Sequence, residues 1–228
     1  MLVLGVDLET TGLSIKEDEI IELGAVVWET KTNKPVAMLN HLIKQPDKGY
    51  LRGIITEITG ITDDDLDNFG IDEQVAINEF IQLARKCQYI VAHNGNHFDK
   101  PFIDKAVTRH GLDLDIPWID SMLDVPFTCA TKQLTYLAAE HNFLNPFSHR
   151  ALFDVLTMLN VCSNYDWQDI ANRSQSPTIT VIANVTKENR HLAKNKGFRW
   201  DAPNVRWIKS MKQCDLDNSN FEFEYDIE

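Results

Sequence analysis

The sequence predicts an α/β domain built on a mixed sheet, followed by a small α+β module. Three observations lead there. Apolar runs of strand length crowd the first 43 residues, helical and strand patterns alternate between residues 73 and 161, and the charge balance changes sign near residue 178. Leu2–Asp7 is an apolar run ending in an acid, as in a buried strand that delivers a side chain to a sheet edge. Residues 20–28 and 36–43 read as two further strands joined by polar Glu29–Pro35, which suggests a β-meander. Val75, Ile77, Phe80, Ile81 and Leu83 recur at helical spacing over residues 73–86. A short strand follows at 89–93, a helix at 100–110, a strand at Trp118-Ile119, and helices at 132–142 and 149–161. Polar Asn172–Pro177 reads as a linker, which separates a domain of residues 1–172 from a module of residues 178–228. The module offers a strand at 178–183, a helix at 187–196 stopped by Gly197, and a strand around 205–211.

Of the 228 residues, 43% are hydrophobic and 25% charged, which excludes a mostly disordered chain. No apolar run approaches the length of about 18 residues that a membrane span needs. The start, Met1–Asp7, has no basic lead and meets an acid at once, so it is read as a strand and not as a signal peptide, and an intracellular, cytoplasmic location is expected. The four cysteines are scattered and form no Cys-x-x-Cys pair, which argues against a zinc ribbon or redox motif. A net charge of −12 argues, by itself, against nucleic acid as a partner. The average conceals three segments. Residues 1–177 carry a net −12, residues 178–212 a net +6 and residues 213–228 a net −6.

Three clusters bear on chemistry. In Asp7-Leu8-Glu9-Thr10-Thr11-Gly12, residues two apart on an extended chain point the same way, so Asp7 and Glu9 put two carboxylates on one face. Such a pair repels unless a proton or a cation neutralises it, and hard oxygen donors suit Mg²⁺ or Mn²⁺; the plain alternative is a solvated turn. In His93-Asn94-Gly95-Asn96-His97-Phe98-Asp99-Lys100-Pro101, the chain leaves a strand, turns, and enters a helix with Pro101 in its first turn. Asp99 is placed either as the N-cap or as a third acid facing the same site. In Ser148-His149-Arg150-Ala151-Leu152-Phe153-Asp154, His149 and Asp154 would sit about 140° apart if both were helical. Either Ser148 caps a helix that His149 begins, or His149 lies in the preceding loop and faces one cleft with Asp154.

Taken together and in order, these motifs resemble the DnaQ-like 3′→5′ exonucleases of the DEDDh group, in the ribonuclease H-like superfamily. The resembling stretches are Asp-x-Glu-Thr-Thr-Gly at 7–12, Thr-Gly-Ile at 59–61, His-Asn-x-x-x-Phe-Asp at 93–99, Asp120, and His-x-x-x-x-Asp at 149–154. The resemblance implies a ribonuclease H-like mixed five-stranded sheet flanked by helices. It implies a metal-dependent 3′→5′ exonuclease that hydrolyses phosphodiester bonds at 3′ ends of DNA, single strands or 3′ overhangs. Asp7 would bridge two divalent ions, Mg²⁺ or Mn²⁺, with Glu9 and Asp154 on one of them and Asp99 bound through water; two ions about 4 Å apart suit phosphodiester hydrolysis. His149 would be the general base. Thr10, Thr11, Leu13, Ile61 and Asn94 would contact the terminal nucleotide, although Leu13 and Ile61 read equally well as core. The remaining partner expectations are a homodimer and a polymerase in a separate subunit.

The segment 187–209 interleaves bases with Phe198, Trp200 and Trp207. It is similar to a small module appended to phage and bacterial nucleic-acid enzymes. Arg199, Trp200, Arg206 and Trp207 are its candidate nucleic-acid contacts, with stacking on aromatics and pairing of cations to phosphate; the alternative is that the aromatics form the module's own core. The acidic tail could fold back on the basic face, stay disordered, or make a final strand through Phe221, Phe223 and Tyr225. Two other functions compete with the leading one. An exoribonuclease on short RNA would use the same acids, and a non-catalytic nucleic-acid-binding adaptor would keep only the fold.

Overall fold

The computed structural model describes residues 1–45, 51–129 and 131–228, which divide into two units, Met1–Ala171 and Asn172–Glu228. The first unit begins with β1 (Leu2–Thr10), β2 (Ile20–Glu29) and β3 (Lys34–Leu42), the antiparallel meander expected from the apolar runs. Three helices follow, α1 (Gly53–Thr59), α2 (Asp63–Phe69) and α3 (Glu73–Ala84). Next come β4 (Tyr89–Ala92), α4 (Asp99–Arg109), β5 (Trp118–Asp120), the single turn α5 (Ser121–Asp124), α6 (Leu134–Glu140) and α7 (Ala151–Cys162), and then α8 (Trp167–Gln175), which starts in this unit and runs past its last residue. The five strands form one mixed sheet in the order β3-β2-β1-β4-β5, with β4 parallel to both β1 and β5.

Alternation along β1 divides the interior into two layers. Leu4, Val6 and Leu8 point to one face and pack with Ile77 and Phe80 of α3 and Phe102 and Ile103 of α4. Val3 points to the other, with Val155, Met158 and Leu159 of α7. Two glycines let α7 lie directly on the sheet. A Cβ on Gly5 would stand 2.8 Å from Leu159 Cδ1, and one on Gly24 would stand 2.4 Å from the backbone nitrogen of Leu152. The second contact is with backbone, so it fixes how closely the start of α7 approaches β2.

Among the helices that the hydrophobic period did not reveal, α1 and α2 have seven residues each. The α2 helix is closed by a capping box, in which Asp65 N donates to Thr62 Oγ1 at 3.1 Å and Thr62 N donates to Asp65 Oδ2 at 2.9 Å. The stretch expected as a linker is in part helical. The α8 helix runs through Asn172 and ends at Gln175, because Trp167, Ile170 and Ala171 anchor its first turns in the core and the polar residues simply continue it.

The second unit contains β6 (Thr178–Asn184), α9 (Arg190–Asn195), β7 (Arg199–Asp201), β8 (Arg206–Lys212), α10 (Gln213–Asp217) and β9 (Glu224–Ile227). Its antiparallel sheet has the order β7-β8-β6-β9, so the acidic tail ends in a strand on β6, which takes in Tyr225 but not Phe221 or Phe223. Gly197, at φ +79°, ends the turn after α9 as expected. A small core gathers Val181, Ala193 and Phe198, with Phe198 edge-on to Phe221 and Phe223. No helix among the described residues is long and apolar enough to cross a membrane.

Candidate active site

The parity that buries Val3 on the α7 side continues along β1 to Asp7 and Glu9, which therefore share that face. Across the ladder Asp7 pairs with Gly24 and Glu9 with Glu22. Gly24 is the residue on which α7 begins, and that close approach brings Asp154, in the first turn of α7, toward the pair. The register between β1 and β4 extends only over Val3–Gly5, so β1 overhangs its parallel neighbour. Asp99, at the start of α4, approaches this overhang, and the backbone N–H groups of Leu8 and of Asp99 itself favour its charged form.

Asp99 is only 1% exposed and is the first helical residue. This corrects its placement as N-cap, a position that Phe98 takes without a side-chain cap. The tight turn before α4 turns Asp99 inward instead. Asn94 adopts φ +65°, and Gly95 packs so closely on Ala92 that an added Cβ would be 2.4 Å from the alanine's own. The turn is held by buried Asp120, whose carboxylate accepts from Asn94 N and Asn96 N, each at 3.1 Å. His93 is tied to Ser121 Oγ and to the Lys132 carbonyl, both at 2.7 Å.

His149 lies in the loop before α7, at φ +63°, and not in the helix. Its backbone N–H donates to Asp154 Oδ2 at 2.8 Å, while Asn145 Nδ2 donates to Asp154 Oδ1 at 2.7 Å. One ligand atom each from Glu9, His149 and Asp154 fall within 4.8 Å of one another. Asp7, Asn94, His149 and Asp154 line one cleft of about 580 Å³. Of the five residues expected at the centre of the site, Asp7, His149 and Asp154 line this cleft, Glu9 lies beside His149 and Asp154, and Asp99 is near enough to raise the Asp7 carboxyl.

The other expected contacts do not all converge. Thr10 is buried and its hydroxyl donates to the Gly12 carbonyl at 2.6 Å, and the Thr11 hydroxyl is bonded to Asp18 at 3.0 Å. Both close their own loop. Leu13 is 84% exposed, so it is not core. Ile61 is 1% exposed, packed with Ile21 and Leu66, and presents no face to a base. Arg199, Trp200, Arg206 and Trp207 belong to the second unit.

Sequence reasoning missed Glu22. It is fully buried, and its carboxylate accepts from Arg150 Nη2 at 2.8 Å, Ala151 N at 3.0 Å and Asn40 Nδ2 at 3.2 Å. It thereby ties the first residues of α7 to β2. The signal was a lone acid within the strand Ile-Ile-Glu-Leu-Gly, since an acid is almost never fully buried unless paired.

The carboxyls crowd one another. Asp7 is pushed well above the usual carboxylate range by burial and by Asp99, Glu9 and Asp154. Glu9 rises to about 8 through burial, then Glu22 and Asp154. Asp99 rises to about 7 through burial, with Asp120 adding and the two backbone amides opposing. Asp154 is raised by burial against its hydrogen bonds to His149 and Asn145. Asp99 Oδ1 is buried with no hydrogen-bond partner among the described residues. Repelling, hard oxygen donors around an unpartnered oxygen fit Mg²⁺ or Mn²⁺.

An acid with a raised folded pKa stabilises the fold only while protonated. The contribution is complete below the ordinary carboxylate range and is lost as pH rises through about 7 for Asp99 and about 8 for Glu9. The metal-free protein is therefore expected to melt at a lower temperature at about pH 9 than at about pH 6. Mg²⁺ or Mn²⁺ should recover more of the melting temperature at the higher pH, because protons and cations compete for the same oxygens. Melting curves in chelator and in metal check this. An equal metal effect at both pH values would place the cation elsewhere.

Residues 4–162 match the Exonuclease family, and residues 180–226 match a domain family of unknown function. The chain is 30% identical over 160 residues to the DNA polymerase III PolC-type protein of Ureaplasma parvum and 32% identical over 167 residues to that of Mycoplasma genitalium. Each alignment covers 68% of this chain and 11% of the relative. It also superposes on E. coli exonuclease I solved with a dA16 oligonucleotide, with a TM-score of 0.64, 16% identity, and 80% of this chain against 48% of that one. The chain thus spans about a tenth of the PolC-type relatives and about half of exonuclease I, whose likeness carries the ribonuclease H-like fold. With well over half of its length matched, the chain belongs to the Exonuclease family, the DnaQ-like 3′→5′ exonucleases of the ribonuclease H-like superfamily.

Proposed function

We propose that this protein is a divalent-metal-dependent exonuclease that removes nucleotides from the 3′ ends of DNA, single-stranded or overhanging, and that does so inside the cell, in company with a polymerase. The cleft lined by Asp7, His149 and Asp154, with Glu9 grouped beside His149 and Asp154 and with Asp99 close enough to raise the Asp7 carboxyl, supports the reading. The PolC-type relatives support the polymerase context, and the oligonucleotide held by exonuclease I supports DNA as substrate.

Two divalent ions held by the four acids would polarise the attacking water and the departing 3′-oxygen. The chain's own groups do the rest. The unpartnered Asp99 oxygen and the raised carboxyls are poised to exchange protons for cations. Asn145 and the His149 backbone amide hold Asp154 in place. The His149 imidazole, in reach of Glu9 and Asp154, accepts the proton of the water. Asp120 and His93 fix the turn that carries Asn94, which faces the cleft where the terminal nucleotide would lie.

A panel of oligonucleotides tests the reading. DNA and RNA, single- and double-stranded, are labelled at the 5′ or the 3′ end and incubated with Mg²⁺ or Mn²⁺. The expected result is a ladder from 5′-labelled DNA and immediate release of a mononucleotide from the 3′ label, fastest on single strands. Faster shortening of RNA would make the protein an exoribonuclease, and binding without shortening would make it an adaptor that keeps the fold.

A further inference from the structure

The larger cavity among those described, about 790 Å³, is not at the acidic site but within the second unit. Its floor follows from register. Ala183 of β6 pairs with Trp207 of β8, and Trp207 pairs with Trp200 of β7, so the three side chains stand abreast on one face of the sheet. The small alanine leaves room beside two large rings, whose centroids are 5.6 Å apart at 59°. Trp200 remains 48% exposed.

The unit does not need Trp200 to complete its core. Phe198, with 3% exposure, fills that core together with Phe221 and Phe223. The cations along the cavity also sort themselves. Arg199 alternates to the opposite face from Trp200. Arg206 is engaged by Asp201 at 3.2 Å and by Glu228 at 2.7 Å. Lys187 and Arg190 line the cavity, are exposed, and form no ion pair among the described residues. A half-bare indole beside two uncommitted cations is a base-stacking surface next to a phosphate-binding edge.

We propose that this cavity is a second nucleic-acid site, which holds a single-stranded segment with a base on Trp200 and its phosphates against Lys187 and Arg190. The proposal rests on the nuclease reading, since it takes the segment to be substrate held away from the 3′ end. It also narrows the contacts expected from sequence. Trp200 stacks and Trp207 supports it, while Arg199 and Arg206 are replaced by Lys187 and Arg190.

The test is the affinity of the full chain for a fluorescein-labelled dT15 oligonucleotide in EDTA, so that no cleavage occurs. Trp200→Ala is expected to weaken binding about 5- to 20-fold, with Trp200→Phe recovering most of the loss. The Lys187→Ala/Arg190→Ala double variant should weaken binding and reduce the slope of log affinity against log salt by about 1.4. All these positions are solvent-facing, and melting curves confirm that the variants fold. Wild-type affinity in both Trp200→Ala and the double variant would overturn the site. So would equally effective competition by polyglutamate, which offers charge without bases. Failure of the nuclease reading appears elsewhere, as a wild-type chain that binds DNA but never shortens it.

Discussion

His149→Ala is expected to lower kcat about 10²- to 10⁴-fold while leaving the affinity for Mn²⁺ within a factor of a few. The separation arises because the backbone and the side chain of His149 have different tasks. Its backbone N–H holds Asp154 Oδ2, and alanine keeps that bond. Its imidazole is the group that alanine removes. The position lies at φ +63°, which alanine adopts at a cost of about 1–2 kcal/mol. His149→Asn is therefore the companion variant, since asparagine tolerates this region better and still cannot serve as the base. Metal titration and single-turnover cleavage read the two effects separately. A His149→Asn protein that cleaves within tenfold of wild type would remove the histidine from the proton transfer.

Glu22→Ala is expected to cost about 2 kcal/mol of stability and more than tenfold in kcat. Removing one partner of a buried pair typically costs about 3–5 kcal/mol, but the Arg150 side chain is 38% exposed and can turn to water, so the lower figure applies. For a unit of this size the loss corresponds to roughly 4–8 °C in melting temperature. Turnover falls because Glu22 accepts from Ala151 N and Arg150, so without it the start of α7, and with it His149 and Asp154, loses its tie to β2. Glu22→Gln keeps an oxygen for the Ala151 amide and should recover much of the stability. Because Glu22 acts through other residues, the contrast between Ala and Gln is the informative readout. A Glu22→Ala protein with wild-type melting temperature and kcat would show that α7 is held by other contacts.

How much of this was legible in the sequence follows from the range of each interaction. Asp7 and Glu9 were readable because strand parity is local, and the same parity that buries Val3 against α7 aims both acids at it. His149 was ambiguous because its backbone conformation decides its role, and a φ of +63° is not written in the Ser-His-Arg spacing. Asp99 was half read. Its carboxyl was expected in the site, but its helix position depended on the turn that Asp120 pins from 24 and 26 residues away along the chain. Glu22 was invisible as a partner because its bonds to Arg150 and Ala151 exist only once α7 crosses Gly24. Ile61 illustrates the reverse error, a residue given a binding role by likeness that packing removes to the core. In the second unit the aromatics looked equivalent in sequence, and the fold divides them into a core residue, Phe198, and a half-bare one, Trp200.

If the acids gathered around Asp7 hold the cations that make this cleft a nuclease, cleavage depends on both the acids and the metal. The most direct measurement is cleavage of a 5′-labelled single-stranded DNA by the wild-type chain and by Asp7→Ala, each with Mg²⁺ and with EDTA. A ladder shortening from the 3′ end is expected only in the wild-type lane with Mg²⁺. A ladder that persists in EDTA, or one that survives Asp7→Ala, would contradict that dependence.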